Sequence, residues 1–297
     1  MVDEKHMGYS QQVEIFEKRG MQIDGNSEKH LKKISYYKLK RIAKFFYDSN
    51  EKKYKPNTHF NAVLANFYYD MNLRMELLKL CEIIELSIKN KFSFILGKKY
   101  GWNGYLKFSN WCNRDINKKE LIYYEDKFKT HLKKNIKKKQ NNPIISDFYK
   151  ENKNEKFPSI WRIVEILTFG EMLNLIKLMS KNNKINFANF YGMNFDILIS
   201  HLENINLIRN FCAHNNPVID ITLKTIPKKI KDFDNLIIKD RKLMISILII
   251  VNLVKIIEKE YDFSKLNIII NQLIKTDNVA QKYGAINKKN IFEFINK

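Results

Sequence analysis

The sequence predicts an all-α protein, and three features of the chain support that fold class. Residues that interrupt helices are few, with nine glycines and five prolines in 297 residues. Lysine, leucine, isoleucine, glutamate and asparagine dominate, which is typical of long helices joined by short polar connections. Apolar residues make up 44% of the chain and recur at helical spacing, so they suffice to fill a packed core.

The chain carries a large positive charge, with a formal net charge of +21 and an isoelectric point of about 9.6. A basic surface attracts phosphates and gains affinity as counterions are released, so nucleic acid is the expected partner class. Only seven of the 53 basic residues are arginine. The lysine excess is also compatible with a merely soluble basic surface that reflects genome composition.

The three widely spaced cysteines, Cys81, Cys112 and Cys212, fit neither a disulfide framework nor a zinc site. The first residues lack the apolar core of a signal peptide, and the most apolar run, 243–254, is too short to span a bilayer. We therefore expect a cytoplasmic protein without membrane association, metal or cofactor.

An N-terminal helical segment is expected over residues 1–57, with helices at 9–20 and 27–48 on either side of an Asp-Gly-Asn turn. The second helix mixes aromatic and basic side chains, a pattern that allows bases to stack and a phosphate backbone to bind. Alternatively, the aromatic rings belong to the core and the basic residues form a solvated face. The residues predicted to contact RNA here are Lys32, Lys33, Lys40 and Arg41.

The main domain is expected over residues 58–262, and it begins with the longest helical pattern, from Thr58 to about Leu96. Charged residues within this helix lie at spacings that permit ion pairs on one face, and we expect these pairs to be structural. They are Asp70 with Arg74, and Glu82 and Glu85 with Lys89.

A basic insertion is expected near residues 113–157. An aromatic, irregular region precedes it, a helix starts near Ile116, and Asn141-Asn142-Pro143 ends that helix. Five lysines in the nine residues 131–139 make this the most basic segment, which is either an RNA-contacting arm or lid, or a solvated charged helix. The lysines predicted to bind RNA are Lys133, Lys134, Lys137 and Lys138.

The rest of the chain is predicted to be helical apart from a loop at 218–239. One helix starts at Pro158, is interrupted at Phe169-Gly170 and continues to about Ser180. Residues 240–261 are apolar nearly all round, as expected of a central helix, and residues 263–297 form a C-terminal helical and basic tail. The other predicted helices are 185–191, 195–214 and 264–275, with 276–297 as the basic end of the tail.

The pattern that carries chemistry is Arg209-Asn210-Phe211-Cys212-Ala213-His214, at the end of the 195–214 helix. Arginine is a permanent planar cation suited to a phosphate, and histidine exchanges protons readily near neutral pH. A histidine in the last turn faces the negative end of the helix, which favours an imidazolium that protonates a leaving 5′ oxygen. We expect Asn210 to add hydrogen bonds and the 2′-hydroxyl of RNA to be the nucleophile, so that DNA is inert. Alternatively, the histidine is structural, as is common near a helix end.

Five residues along an ideal helix separate the side chains of Arg209 and His214 by about 140° and about 7.5 Å along the axis. Either the helix loosens at its proline-terminated end, or two copies pool their side chains in one cleft across a two-fold axis. We favour the homodimer. Glu165, whose helix precedes the motif helix, is an additional candidate site residue, and a buried ion pair is the alternative role for it.

The motif resembles the signature of HEPN ribonucleases, and the order of other landmarks resembles the abortive-infection Abi family of the D/F type, bacterial proteins of phage defence. The similarity covers roughly residues 14–218. The landmarks are Leu31-Lys32-Lys33-Ile34-Ser35-Tyr36-Tyr37-Lys38-Leu39, Asp70 to Arg74, Glu82-Ile83-Ile84-Glu85-Leu86-Ser87-Ile88-Lys89, and Ser159-Ile160-Trp161 through Glu165 to Phe169-Gly170.

This resemblance implies a HEPN-like helical bundle, metal-independent RNA cleavage by paired protomers, and growth arrest or cell death on infection under the control of an RNA or an antitoxin partner. Other functions stay open. One alternative is a non-catalytic RNA-binding module or an RNA-regulated toxin–antitoxin component, and another is a protein-interaction scaffold.

Overall fold

The computed structural model describes residues 6–296 and confirms the all-α class. Fifteen α-helices lie within these residues, and the only sheet among them is a two-stranded hairpin. The 41-residue helix α4 (Phe60–Tyr100) is the axis of the fold, because helices from both earlier and later parts of the chain pack against it. Their apolar side chains form one hydrophobic core.

The N-terminal segment is more broken than predicted. Its elements are α1 (Tyr9–Lys18), α2 (Ser27–Leu31), α3 (Tyr36–Ala43), a 3-10 turn (Lys44–Phe46), β1 (Tyr47–Asp48) and β2 (Lys53–Tyr54). The single helix predicted over 27–48 is wrong, since Ser35 is extended, with φ −53° and ψ 133°, and the chain leaves the helix at Ala43 to form the hairpin. Leu39 and Ile42 are fully buried where α3 packs on α4.

The long helix is confirmed and extends slightly beyond the predicted end. Leu73, Leu77, Leu80, Ile84 and Ile88 are all buried at spacings of three or four residues, as one apolar stripe of a helix requires. The helix ends at Gly101, whose φ of +78° is a conformation that glycine adopts without a side-chain clash.

The basic insertion is folded onto the core. A 3-10 turn (Gly104–Leu106) and α5 (Phe108–Trp111) precede it, and its own helices are α6 (Lys118–Lys138) and α7 (Pro143–Glu151). Asn117 caps α6 by accepting the backbone N–H of Glu120 at 2.8 Å. The end of α6 is held where Lys139 Nζ donates to the carbonyl oxygen of Ile166 at 2.7 Å. Helix α7 was not predicted, although Asn142 caps it and Pro143 stands at its first position.

Four helices lead to the motif, namely α8 (Ile160–Ile166), α9 (Phe169–Leu178), α10 (Lys181–Asn189) and α11 (Phe195–Ala213). The predicted interruption near Phe169 is real, because Thr168 and Glu171 form a capping box that starts α9. Glu171 also accepts hydrogen bonds from His131 and Asn135 on α6. Burial opposes ionisation of Glu171, but the hydrogen bonds from Thr168, His131 and Asn135 outweigh it and lower its pKa.

The C-terminal part begins with the predicted loop, in which the segment 218–239 contains only one 3-10 turn (Lys231–Phe233). The helices after it are α12 (Leu243–Ile257), α13 (Ser264–Leu273), α14 (Asp277–Lys282) and α15 (Lys288–Asn296). The central position of α12 is confirmed, since eleven of its fifteen residues are buried. The segment 276–296 is not a plain basic tail, because Ile291 and Ile295 of α15 are buried in the core. None of the helices within residues 6–296 has the length and apolar character needed to cross a membrane.

Candidate active site

The motif helix α11 ends in a well-formed cap directly after the motif. His214 N–H still donates to the carbonyl oxygen of Asn210 at 3.0 Å, so the last turn remains α-helical. Asn215 then adopts φ +55°, its N–H donates to Cys212 O at 3.2 Å, and Asn216 N–H donates to Phe211 O at 2.9 Å. This is the hydrogen-bond pattern of a Schellman motif, with asparagine in the left-handed position where glycine is more common.

A buried ion pair on α4 fixes the loop that follows the motif. Arg74 Nε donates to Asp70 Oδ2 at 2.7 Å, as the spacing of four residues predicted, and Arg74 Nη1 donates to Asn215 Oδ1 at 3.0 Å. The other carboxylate oxygen of Asp70 accepts the backbone N–H groups of Val218 at 2.7 Å and Ile219 at 3.1 Å. Both partners are buried, so this pair determines where the chain goes after His214.

The three predicted catalytic residues lie together at this end of α11. His214 is exposed at the C-cap position, and Arg209 and Asn210 are half-buried one turn earlier. The last turn stays hydrogen-bonded as a helix, which does not fit the alternative in which the helix loosens and His214 swings round. Ideal helix geometry sets the two positions about 140° apart around α11.

Arg209 is held by a charge network that leaves it able to bind an anion. Its Nε lies 3.6 Å from Glu85 Oε2, while Glu85 Oε1 pairs with Lys89 Nζ at 2.9 Å. One carboxylate thus serves two cations, and the trio keeps a net charge of +1. The Arg209 side chain is 34% exposed, whereas Glu85 and Lys89 are largely buried, so Arg209 is the cation of this network that meets solvent.

The cysteines near the motif are structural. Cys81 and Cys212 are buried where α4 meets α11. Burial raises the pKa of Cys212 to about 12, an effect that the nearby Arg74 reduces and Asp70 increases, and burial also raises the pKa of Cys81. Neither thiol is a nucleophile at neutral pH. Within the described part of the chain, no group of three or more histidine, cysteine or acidic side chains is arranged to hold a metal ion.

The eight basic residues predicted to bind RNA are all exposed, and they lie on two separate elements of the fold. Lys32, Lys33, Lys40 and Arg41 lie in or just after α2 and α3, where Lys32 pairs with Glu28 at 3.1 Å. Two aromatic residues lie between them, of which Tyr36 is buried and Tyr37 is exposed. The core interpretation is therefore correct for Tyr36.

The other four lysines lie along α6. Lys133 and Lys137 line a cleft of about 370 Å³ between α6 and α7, together with Lys156, Gln140, Ser146 and Tyr149. Lys134 and Lys138 are exposed beside it. No acidic side chain lines this cleft, so its lysines offer an anion three unopposed charges.

Glu165 is exposed on α8, and the salt bridges described for residues 6–296 do not include it. The buried ion pair considered for Glu165 is therefore wrong. The nearby Arg162 instead pairs with Glu151 at 3.7 Å.

A cleft of about 720 Å³ lies against the motif helix but not at the motif side chains. Leu207 and Phe211 of α11 line it together with Leu173, Asn174 and the segment 221–227. Arg209, Asn210 and His214 do not line it, although Phe211 lies one helical turn from His214.

Sequence reasoning missed Asn215 and the two backbone groups that Asp70 binds. The signal for Asn215 was its place directly after a predicted helix end, where asparagine tolerates positive φ. The hydrogen bonds from Val218 and Ile219 to Asp70 join residues 148 and 149 positions apart, and no local sequence pattern predicts them.

Comparison with known proteins gives one informative match. A family model described as Abi-like protein matches residues 29–220, which is more than half of the chain. The matched region contains α4, α11, the Asp70–Arg74 pair and the whole motif, and it ends just after the loop that Asp70 fixes. No curated protein matches the chain, and no solved structure matches it either.

Proposed function

This chain belongs to the Abi-like protein family, which is an abortive-infection family, and on that premise we propose that it is a metal-independent RNA endonuclease of the HEPN type that acts against phage. The observation that carries the proposal is the cluster of Arg209, Asn210 and His214 at the solvent-facing end of α11. The buried Asp70–Arg74 pair supports it by holding the chain beside that cluster in one position.

The proposed reaction uses only these side chains and the RNA itself. Arg209 binds the scissile phosphate and stabilises the charge that develops on it. The 2′ oxygen forms a bond to phosphorus as the bond to the 5′ oxygen breaks, and the 2′-hydroxyl proton leaves to water. His214 gives its proton to the leaving 5′ oxygen, and Asn210 orients the phosphate or the imidazole by hydrogen bonding. The products are a 2′,3′-cyclic phosphate and a 5′-hydroxyl.

We propose that two copies of the chain complete each site. The separation of Arg209 and His214 around α11 is what requires a second copy, because one regular helix directs the two groups apart. The exposed apolar side chains of α4 support this, since Met75 is 63% exposed and Leu86, which follows the Arg209 partner Glu85, is 53% exposed. Apolar side chains on this face are suited to bury against the same face of a partner.

The direct test is cleavage of labelled single-stranded RNA by the purified protein in the presence of a chelator. Wild type is expected to produce 2′,3′-cyclic phosphate ends, and His214→Ala and Arg209→Ala are expected to lose cleavage while retaining the fold and RNA binding. Glu203→Ala, an exposed change on the same helix, is the matched control and is expected to cut normally. Wild-type protein that binds several RNAs and cuts none of them would contradict the proposal.

A second candidate function is an RNA-binding module or the protein component of an RNA-regulated toxin–antitoxin pair. The observation that favours it is the set of exposed lysines along α6, which lie outside the motif and line an acid-free cleft. In that case Lys133→Gln and Lys137→Gln weaken RNA binding, and motif substitutions leave cellular toxicity unchanged.

A further inference from the structure

A basic, aromatic surface lies where the C-terminal part of α4 packs against α10. It comprises residues 87–100 and 181–194, and we name it the α4–α10 surface. These two segments contain six lysines and no aspartate or glutamate, in a chain in which acidic residues are otherwise frequent. The surface is distinct from the motif and from the basic residues of α3 and α6.

Two phenylalanine rings stand exposed on this surface. Phe94 is 53% exposed and Phe190 is 49% exposed, although phenylalanine is usually buried. Lys91 lies between them, with its Nζ 4.3 Å from the centre of the Phe190 ring and 5.7 Å from that of Phe94. Lys98 Nζ lies 5.8 Å from the Phe94 ring. The rings are thus held out to solvent among cations.

Three lysines of this surface carry ammonium groups that are not paired with a carboxylate of the described residues. Lys89 is occupied by Glu85, but the salt bridges of residues 6–296 include none of Lys91, Lys98 and Lys99. These three lysines line a cleft of about 430 Å³ with Phe94, Ile95, Asn183 and Asn186. A cleft with cationic walls and an apolar ring is complementary to a polyanion that also carries flat apolar groups.

The wall of the cleft also contains an unsatisfied polar group. Asn183 is fully buried, and its Nδ2 donates to Tyr100 Oη at 3.2 Å and to the carbonyl oxygen of Trp111 at 3.1 Å. Its Oδ1 has no hydrogen-bond partner. A buried acceptor without a partner is costly, but full burial keeps this oxygen out of reach of a ligand, so Asn183 forms the wall of the cleft and takes no part in binding.

From these observations we infer that the α4–α10 surface binds single-stranded RNA by stacking bases on Phe94 and Phe190 while Lys91, Lys98 and Lys99 bind the backbone phosphates. Exposed rings favour unpaired bases, because the bases of a duplex are already stacked on each other. Residues 91–98 lie six to thirteen residues beyond Glu85 on α4, which is a rise of about 9–20 Å along the helix axis from the partner of Arg209. The surface is therefore separate from the motif, and binding there needs no cleavage.

The experiment measures fluorescence anisotropy of a labelled oligouridylate, as a single strand and as a duplex with oligoadenylate. All proteins carry His214→Ala, so that the RNA stays intact whether or not the motif is catalytic. Phe94→Ala and Phe190→Ala are each expected to weaken single-strand binding by roughly 5- to 150-fold, the loss that corresponds to removing one stacked base. Duplex binding is expected to change far less.

Tyr123→Ala is the matched control. Tyr123 is 59% exposed on α6, and Lys127 Nζ lies 5.7 Å from its ring centre, so it has the same exposure and the same lysine contact. Unlike the two phenylalanines, it has acidic residues within three positions along the chain, namely Glu120, Glu125 and Asp126. Its substitution is expected to leave binding unchanged, and Phe94→Tyr, which retains a ring, is expected to bind like Phe94 itself.

Two outcomes would overturn the inference. Equal loss of single-strand and duplex binding in Lys91→Gln, with no effect of Phe94→Ala or Phe190→Ala, would show a surface that binds charge alone. Binding of anionic lipid vesicles that depends on the two rings, with RNA binding unaffected, would assign the surface to a membrane. Both results are independent of whether wild-type protein cleaves RNA.

Discussion

Replacement of Asp70 by alanine tests how the fold supports the motif. Asp70 is 1% exposed, and it accepts hydrogen bonds from Arg74 and from two backbone N–H groups. Alanine removes both carboxylate oxygens and with them all three hydrogen bonds, and it leaves the buried Arg74 guanidinium bound only to Asn215. We therefore expect Asp70→Ala to weaken both the core and the loop after His214.

The expected loss follows from the cost of an unpaired buried charge, which is about 3–5 kcal/mol when one partner of a buried pair is removed. Unfolding entropy of about 2.1 cal/mol/K per residue gives roughly 0.6 kcal/mol/K for a chain of this length. The same loss thus lowers the midpoint of thermal unfolding by about 5–8 °C. Equilibrium denaturation in urea and calorimetry measure the two quantities.

A control and a second variant make this prediction specific. Asp147 pairs with Lys150 on the surface of α7, and Asp147→Ala is expected to unfold like wild type because solvent screens that pair. The double variant Asp70→Leu with Arg74→Met removes both buried charges, so it is expected to recover much of the stability that Asp70→Ala loses. Asp70→Ala with wild-type stability would refute the role given to this pair.

Two further predictions concern titratable groups. Burial lowers the pKa of His201 below its usual 6.5, although the hydrogen bond to the Lys228 carbonyl oxygen opposes this, so the unfolded chain binds a proton that the folded chain does not. The contribution of His201 to stability is therefore fully present above pH 6.5 and is lost as the pH drops toward the folded-state pKa, by at most about 1.4 kcal/mol per pH unit. Between pH 7.5 and 5.5, the urea midpoint of unfolding should fall less steeply for His201→Gln than for wild type. Parallel curves for the two proteins would contradict this role of His201. Burial also raises the pKa of all three cysteine thiols. A thiol-reactive dye at pH 8 is therefore expected to label none of them in the native protein and all three in denaturant. Rapid labelling of the native protein would contradict this prediction.

Much of the helical framework follows from the sequence, and the exceptions have physical reasons. The regular apolar spacing of α4 and the uniformly apolar α12 were sufficient to predict both as major helices. The break at Ser35 was missed because neither glycine nor proline marks it, and the short hairpin after α3 has too few residues to show an alternating pattern. The helices α14 and α15 were missed because each has too few apolar residues to show a helical spacing in the sequence. Only their packing against the core shows which residues are buried.

The candidate site was predicted in its residues but not in its supports. Arg209, Asn210 and His214 are adjacent in sequence, so their proximity needed only a helix ending near Pro217. The contact of Arg209 with Glu85 depends on the relative register of α4 and α11, which tertiary packing sets. The stacking surface at Phe94 and Phe190 joins two segments about ninety residues apart, and the absence of acidic residues from both was the only signal in the sequence.

Complementation between two inactive variants tests the shared active site most directly. If each site takes Arg209 from one copy and His214 from the other, a heterodimer of Arg209→Ala and His214→Ala contains one intact site and one site that lacks both groups. Equal amounts mixed under conditions that exchange protomers should then regain about a quarter of wild-type RNA cleavage, since half of the dimers are mixed and each has one working site of two. A mixture that stays as inactive as its two components, although exchange has occurred, would contradict a site built from two chains.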